Sequence, residues 1–169
     1  MKVIIQDVIK GQDLHIRETL QVNELAGDRS DIQGIGPIDV DLTAKAESED
    51  QIGVRGTLTV ELDAICSRCL TPHSETIVIP FDEHYRLTES TGLPADDEDE
   101  VTYVTSDHVD LKPYVEEAVI VHLPYAPLCQ EDCKGLCPTC GVNRNETECG
   151  CSNERIDPRL AGLKDFFNK

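Results

Sequence analysis

The sequence predicts an α+β fold, with an antiparallel sheet that is either open or barrel-like, one covering helix, and a cysteine-rich tail that ends in a short helix. Three observations lead to this prediction. Apolar and polar residues alternate through several segments between residues 38 and 87, as they do in half-buried antiparallel strands. A later segment carries apolar residues at helical spacing, and six of the eight cysteines lie between residues 129 and 151.

Length and composition favour one domain with a small appendage. At 169 residues the chain has the usual size of a single domain. Trp is absent and only three Phe and four Tyr are present, so we expect a core built mainly from Val, Ile, Leu and Ala. We predict a β-rich acidic domain with the covering helix over residues 1–128 and a tail packed on it over residues 129–169.

The strands come first along the chain. Alternation and turn residues predict them at residues 2–9, 14–22, 38–46, 57–64 and 76–87. Residues 26–37 are predicted to form a polar turn region. The apolar face of the strand at 57–64 continues onto Cys66, so Cys66 and Cys69 are predicted at the tip of a hairpin.

Residues 88–110 hold eight acidic residues and no Lys or Arg. Such a run repels itself and buries little surface, which is typical of a solvated loop. The alternative is an acidic arm that contacts a basic partner. Within this run, residues 101–104 have the composition of a short strand.

The covering helix is predicted to follow the acidic run. Asp110 is a candidate N-cap, and Pro113 falls in the first turn, where proline is tolerated. The apolar face comprises Leu111, Val115, Ala118, Val119 and His122. We expect His122 to have a structural role rather than to bind a metal, and Pro124 to end the helix. Another short helix is predicted after residue 157.

The cysteines come in pairs, and thiolate is the preferred ligand of zinc in tetrahedral structural sites. A Cys-x-x-Cys segment delivers two ligands from one tight turn, so eight cysteines divide into two quartets. The first comprises Cys66, Cys69, Cys129 and Cys133, and the second, a self-contained knuckle, comprises Cys137, Cys140, Cys149 and Cys151. We predict a zinc-binding tail and two zinc ions. Disulfides and iron are the alternatives to zinc.

No enzyme activity is predicted. Four thiolates close each site, whereas a catalytic zinc keeps a position open. The sequence has no Gly-rich phosphate loop, no Gly-x-Ser-x-Gly elbow and no His-Glu-x-x-His pair. The alternatives from another class are a thiol-based redox switch, in which Cys149 and Cys151 cycle between dithiol and disulfide, and a metal-dependent enzyme.

The protein is strongly acidic, with a formal net charge of -18. Residues 1–128 hold 26 acidic and 9 basic residues, whereas residues 129–169 hold 7 and 6. This balance argues against nonspecific nucleic-acid binding, and no DNA binding is expected. It is compatible with a basic protein partner, or with RNA contacts in the tail. There, Arg144, Arg155 and Arg159 are candidate partner contacts, with ordinary solvated arginines as the competing interpretation.

We expect a cytoplasmic protein without membrane contact. Gln6 and Asp7 interrupt the first apolar run before a signal peptide could form. No stretch approaches the roughly 20 apolar residues that span a bilayer. Thiols stay reduced in the cytoplasm, which favours metal binding by paired cysteines.

Two motifs resemble a known family. The first runs from Gly56 through Cys66-Ser67-Arg68-Cys69-Leu70, and the second is Asp132-Cys133-Lys134-Gly135-Leu136-Cys137-Pro138-Thr139-Cys140-Gly141. With the tail from Cys149 to Leu163, the chain resembles the YceD family, the large ribosomal RNA subunit accumulation proteins, over roughly residues 38–169. The resemblance implies a non-catalytic role in 23S ribosomal RNA accumulation and large-subunit assembly. The implied partner is a large-subunit precursor, contacted through a basic ribosomal protein or ribosomal RNA.

Overall fold

The structure, a computed structural model, describes residues 1–22, 25–88 and 101–152. A five-stranded sheet with the strand order β2-β3-β4-β5-β6 forms the body, and β1 pairs with β7 in a second, two-stranded sheet. In chain order, the elements are β1 (Lys2–Ile4), α1 (Ile5–Ile9), β2 (Leu14–Leu20), β3 (Ile32–Ala46), β4 (Gln51–Ile65), β5 (Pro72–Leu87), β6 (Val101–Val104), β7 (His108–Asp110) and α2 (Lys112–His122). A mostly β fold with few helices agrees with the predicted α+β class.

The long strands β3, β4 and β5 form an antiparallel meander. Alternate side chains of each strand are buried, as the period of two predicted. Strands β3 and β4 approach so closely at Gly56 that a Cβ there would collide with the carbonyl oxygen of Asp41. Strand β3 begins at Ile32, inside the predicted turn region. The sequence pattern did not reveal this part of the strand, because register shifts after Ile32 and Ile35 interrupt the alternation.

The sheet is open, so its predicted barrel-like alternative is wrong. Strands β2 and β6 lie at opposite edges of the sheet. Closure of a barrel requires the two edge strands to pair. Strand β6 pairs with the end of β5 from His84 to Leu87, in parallel, and the small β1–β7 sheet is separate from the large one.

Helix α2 covers one face of the sheet. Its buried residues Val115 and Val119, together with Leu111 just before it, belong to the main core cluster. Pro113 lies in the first turn, and the Lys112 N–H donates to the Asp110 side chain at 3.1 Å. His122 is exposed, unlike the rest of the predicted apolar face, and its Nδ1 lies 2.8 Å from the Ala118 carbonyl oxygen.

The prediction of one strand over residues 2–9 is wrong. Strand β1 covers three residues, and the chain then turns into the short helix α1. Ile5 and Val8 are both buried, and residues three apart share a helix face. The N-terminal ammonium group of Met1 lies 3.6 Å from the Asp110 carboxylate, next to the start of α2.

Several predictions fall on residues outside the described ranges. These are the central part of the acidic run, at residues 89–100, and the short helix after residue 157. The strand at 101–104 is present as β6. The division at residue 128 stays a prediction. Within the described ranges, no helix combines the length and the apolar character needed to cross a bilayer.

Candidate metal centres

The tip of the β4–β5 hairpin holds the first cysteine pair. The buried face of β4 continues from Ala64 to Cys66, which is fully buried. The Leu70 N–H donates to the Cys66 carbonyl oxygen at 2.9 Å, and Leu70 adopts a left-handed conformation with φ of 59°. The hydrogen bond closes a tight turn over residues 66–70, which places Cys69 beside Cys66, and the left-handed Leu70 then leads the chain toward β5.

The segment from Pro127 to Leu136 wraps around this tip. The Ser67 N–H donates to the Pro127 carbonyl oxygen at 2.8 Å, and the Leu136 N–H donates to the Arg68 carbonyl oxygen at 3.0 Å. The Arg68 guanidinium donates to the Cys133 carbonyl oxygen at 3.0 Å. These contacts carry Cys129 and Cys133 to the tip.

The first quartet consists of Cys66, Cys69, Cys129 and Cys133, whose sulfur atoms all lie within 4.8 Å of one another. The Cys66 and Cys133 sulfurs are 3.7 Å apart, and those of Cys69 and Cys129 are 3.6 Å apart. Zinc–sulfur bonds of about 2.3 Å at tetrahedral angles imply sulfur separations of about 3.8 Å. The residues present therefore fit a tetrahedral metal ion.

The thiols of the first quartet differ in acidity. Burial opposes ionisation of Cys66, but backbone N–H groups of Cys129, Cys69 and Arg68 outweigh it and lower the pKa of Cys66 to about 6. Burial and the neighbouring sulfurs raise the pKa of Cys129 to about 12. A second negative charge beside the first is unfavourable, and a divalent cation would remove that repulsion.

The second quartet is assembled locally, from Cys137, Cys140, Cys149 and Cys151, and its sulfurs also lie within 4.8 Å of one another. The Gly141 N–H donates to the Cys137 carbonyl oxygen, and the Cys137 N–H donates to the Val142 carbonyl oxygen, both at 2.8 Å. Cys137 is buried, whereas Cys140 is exposed. This site lies nearer the solvent than the first.

The same division of acidity appears in the second quartet. Backbone N–H groups of Cys140 and Thr139 lower the pKa of Cys137 to about 6. The Cys140 side chain and burial raise the pKa of Cys151 to about 12. Each quartet therefore combines a readily ionised thiol with one that stays protonated without a cation.

All four ligands of the second quartet come from one local segment, as predicted, but its loop also contacts the first quartet. The Arg144 N–H donates to the Gly135 carbonyl oxygen at 2.9 Å, and the Asn145 side chain reaches Cys133. Asn145 is an exposed residue, yet its side chain makes this contact with a buried cysteine. The sequence signal for this role is weak and consists of an Asn in a turn, whose side chain readily forms hydrogen bonds with nearby backbone groups.

The candidate partner contacts divide between described and undescribed residues. Arg144 is exposed and lines a small concavity with Lys134, Glu148 and Cys149. Arg155 and Arg159 lie outside the described residues. The described structure thus places one of the three arginines, beside the second quartet.

Fold and sites together define a class: a small β-sheet protein with two tetracysteine clusters, each of which can hold a metal ion. A family model described as "Large ribosomal RNA subunit accumulation protein YceD" matches residues 54–167. The chain belongs to the YceD family. The match spans both quartets and most of the hairpin that carries the first cysteine pair.

Relatives come from several organisms. An uncharacterised protein of Mycobacterium tuberculosis is 36% identical over 130 residues, which cover 77% of this chain and 62% of the relative. The Bacillus subtilis protein YlbN is 29% identical over 94% of this chain and 90% of its own length. A 49-residue stretch is 31% identical to the chloroplastic Arabidopsis thaliana protein named "Large ribosomal RNA subunit accumulation protein YCED homolog 1" and covers 29% of this chain and 15% of that protein. The chain thus spans about three fifths of the mycobacterial relative, and no solved structure matches it.

Proposed function

We propose that this chain is a non-catalytic, zinc-binding factor that supports accumulation of 23S ribosomal RNA and assembly of the large ribosomal subunit in the cytoplasm. The observation that carries the proposal is the family match across residues 54–167, which includes both quartets. The family is described by its role in large ribosomal RNA subunit accumulation. The protein would act by contact with a large-subunit precursor.

The role of zinc in this proposal is structural. Four thiolates complete a tetrahedral shell and leave no position for a substrate or a reactive water. In small zinc modules, metal binding contributes on the order of 10 kcal/mol to folding. Here it would hold the segment from Pro127 to Leu136 on the hairpin tip and stabilise the loop that follows Cys140.

The charge on the face of the sheet that points away from the core supports the proposal of a basic protein partner. We call this face the polar face and define it by the alternating residues of β3 from Asp39 and of β4 from Arg55 that are exposed or half-buried, namely Asp39, Asp41, Thr43, Lys45, Arg55, Thr57, Thr59, Glu61 and Asp63. Four of these nine residues are acidic and two are basic. A basic protein would find complementary charge across this surface.

The cations on and around the polar face are already paired with carboxylates. Arg17 lies 3.0 Å from Asp41, and Arg55 lies 2.8 Å from Asp82. Lys45 lies 3.2 Å from Asp13. Phosphate recognition requires available Lys and Arg groups, so this face favours a basic ribosomal protein over ribosomal RNA.

Depletion of the protein in its native organism tests the proposed role directly. We expect reduced 23S ribosomal RNA and accumulation of large-subunit precursors on density gradients, with the protein co-sedimenting with those precursors. Normal 23S levels after depletion would contradict the proposal.

The partner is tested with charge variants of matched size. The triple variant Asp39→Asn, Glu61→Gln, Asp63→Asn removes three negative charges from the polar face and should weaken co-sedimentation about 10-fold or more, with a reduced dependence on salt. The control Asp7→Asn, Asp107→Asn, Glu117→Gln removes the same charge from exposed residues elsewhere and should bind as the wild type does. Crosslinking from the polar face to RNA instead of protein would overturn the basic-protein assignment.

A further inference from the structure

Asn145 connects the two quartets. It belongs to the loop between Cys140 and Cys149, but its side-chain Oδ1 accepts a hydrogen bond from the Lys134 N–H at 2.8 Å. Its Nδ2 donates to the Cys133 sulfur at 3.3 Å. A backbone N–H can only donate, so the amide oxygen must face Lys134 and the NH₂ group must face the sulfur.

A hydrogen bond at this position has a clear electrostatic role. Cys133 is only 4% exposed, so water does little to solvate its thiolate. Four thiolates around a divalent cation carry a net charge of about −2, and N–H donors to sulfur offset part of that charge. The Asn145 amide also fixes the direction in which the sulfur points.

The loop of the second quartet holds Asn145 in place. The Asn145 N–H and Nδ2 both donate to Asn143 Oδ1, at 3.1 and 2.9 Å. Asn143 Nδ2 in turn donates to Glu146 Oε1 at 2.8 Å. Because cysteines of the second quartet lie at both ends of this loop, a metal ion there would order the residues that carry Asn145.

We propose that Asn145 is a positioning residue that couples the two quartets, so that metal binding at the second raises the metal affinity of the first. The proposal rests on the proposed function, in that both quartets bind zinc. Linkage requires the effect to be reciprocal, so an occupied first quartet raises the affinity of the second by the same factor. Partners of this kind typically change metal affinity about 10-fold or more.

The test measures zinc release from each quartet separately in the full-length protein. The zinc-loaded, reduced protein is titrated with a chelator, and newly exposed thiols are alkylated. Trypsin cleaves after Lys134 and so places Cys133 and Cys137 in different peptides, which mass spectrometry distinguishes. The chelator concentration that exposes half of each thiol reports the zinc affinity of its quartet.

Asn145→Asp is the informative variant, because it keeps an oxygen for the Lys134 N–H but loses the donor to sulfur. A purely structural anchor on Lys134 would survive this change. We expect Asn145→Asp and Asn145→Ala to release zinc from the first quartet at an about 10-fold lower chelator concentration. Thr147→Ala, exposed in the same loop, is the control and should match the wild type.

A double-mutant cycle tests the coupling itself. The double change Cys137→Ser and Cys140→Ser disables the second quartet and should lower the zinc affinity of the first about as much as Asn145→Ala does. Combining these changes with Asn145→Ala should lower that affinity little further. The coupling would be overturned if Asn145→Asp released zinc from the first quartet at the wild-type chelator concentration, or if the effects of the combined changes were fully additive. Either result would leave the proposed zinc binding by both quartets intact. Thiols that stay open to alkylation in the zinc-treated wild type would instead overturn the proposed zinc binding.

Discussion

Tyr85 is the largest fully buried side chain of the core. Among the described residues, its hydroxyl group has no hydrogen-bond partner. Burial is the main reason that the pKa of this hydroxyl is raised, followed by the charge of Glu83. A buried hydroxyl without a partner destabilises the folded state by about 1–3 kcal/mol, so this residue is a point of weakness in the core.

Tyr85→Phe is therefore expected to raise the free energy of unfolding by about 1 kcal/mol. The ring keeps its edge-to-face contact with Tyr114, whose centroid lies 5.2 Å away. Denaturant unfolding of the zinc-loaded protein measures the change, with Tyr114→Phe at the half-buried partner ring as the control. A marked loss of stability in Tyr85→Phe would show that the hydroxyl makes a stabilising contact.

Glu47 lies where β3 leads into β4 and receives several contacts. His84 Nδ1 lies 2.7 Å from its carboxylate, Gln51 donates to it at 2.9 Å, and Arg55 lies 3.0 Å away. Burial opposes ionisation, but the hydrogen bonds from His84 and Gln51, together with the charges of His84 and Arg55, lower the pKa of Glu47.

This lowered pKa makes part of the stability depend on pH. The folded pKa lies below the unfolded value of about 4.3, so the stabilising contribution is present above that value and is lost as pH falls through the folded pKa. Glu47→Gln should be less stable than the wild type at neutral pH, by up to about 1 kcal/mol, and the difference should shrink below about pH 4. Measuring the free energy of unfolding at several pH values tests this prediction, with Glu61→Gln at an exposed residue as the control. A stability difference between Glu47→Gln and the wild type that does not change with pH would contradict it.

At the scale of elements, the turn at Gly135 joins the wrapped segment to the hairpin tip. Gly135 has φ of +70°, and a Cβ there would lie 3.0 Å from the Arg68 carbonyl oxygen. Gly141 has φ of +77°, but a Cβ there would meet open space. Comparing substitutions at the two glycines therefore distinguishes the strain of a left-handed backbone, which both share, from the close contact with Arg68, which only Gly135 makes.

Gly135→Ala is expected to lower the zinc affinity of the first quartet more than Gly141→Ala lowers that of the second. Both changes carry the strain of a left-handed alanine, about 1–2 kcal/mol, but only Gly135→Ala also pushes the Arg68 carbonyl away from Leu136. Chelator titration with a zinc indicator measures the release of the metal. Equal effects of the two substitutions would show that the contact with Arg68 contributes nothing.

Among the elements, the long strands and the grouping of the cysteines into two quartets were predictable, whereas the pairing of β1 with β7 and the contact of Asn145 with Cys133 were not. The alternation at residues 38–46 and 57–64 is a local property of a half-buried strand, and β3 and β4 contain both segments. The contact from Asn145 to Cys133 joins residues with no periodic relationship. The short helix α1 was missed because its five residues are too few to establish a helical period.

At the scale of the whole molecule, the main core is distinct from the cysteine sites. The main cluster combines buried residues of the large sheet with those of helices α1 and α2 and of the small β1–β7 sheet. Cys66, Cys69 and Cys133 form a separate cluster with Leu128, Cys129 and Leu136. The sheet therefore has its own source of stability, whereas the wrapped segment depends on the cysteine cluster and a few hydrogen bonds.

Removal of zinc should consequently unfold the protein in part. The wild type is expected to bind two zinc ions per chain by elemental analysis, one for each quartet. After chelation, amide protons at residues 66–71 and 127–144 should exchange faster, while those of β3 and β4 stay protected. Hydrogen-exchange mass spectrometry of the two forms is the measurement, and equal deprotection of the sheet would contradict separate stabilities.

The antiparallel strands, the covering helix and the Cys-x-x-Cys pairs could be predicted from the sequence alone, because each depends on residues a few positions apart. The open sheet, the parallel pairing of β6 with β5 and the hydrogen bond from Asn145 to Cys133 became known from the three-dimensional arrangement. These features depend on contacts between segments that are far apart in the sequence, and such contacts produce no periodic pattern of residues. The first quartet combines the two kinds of feature. Each of its cysteine pairs lies within a short stretch of sequence, whereas the two pairs come together at the hairpin tip through a tertiary contact.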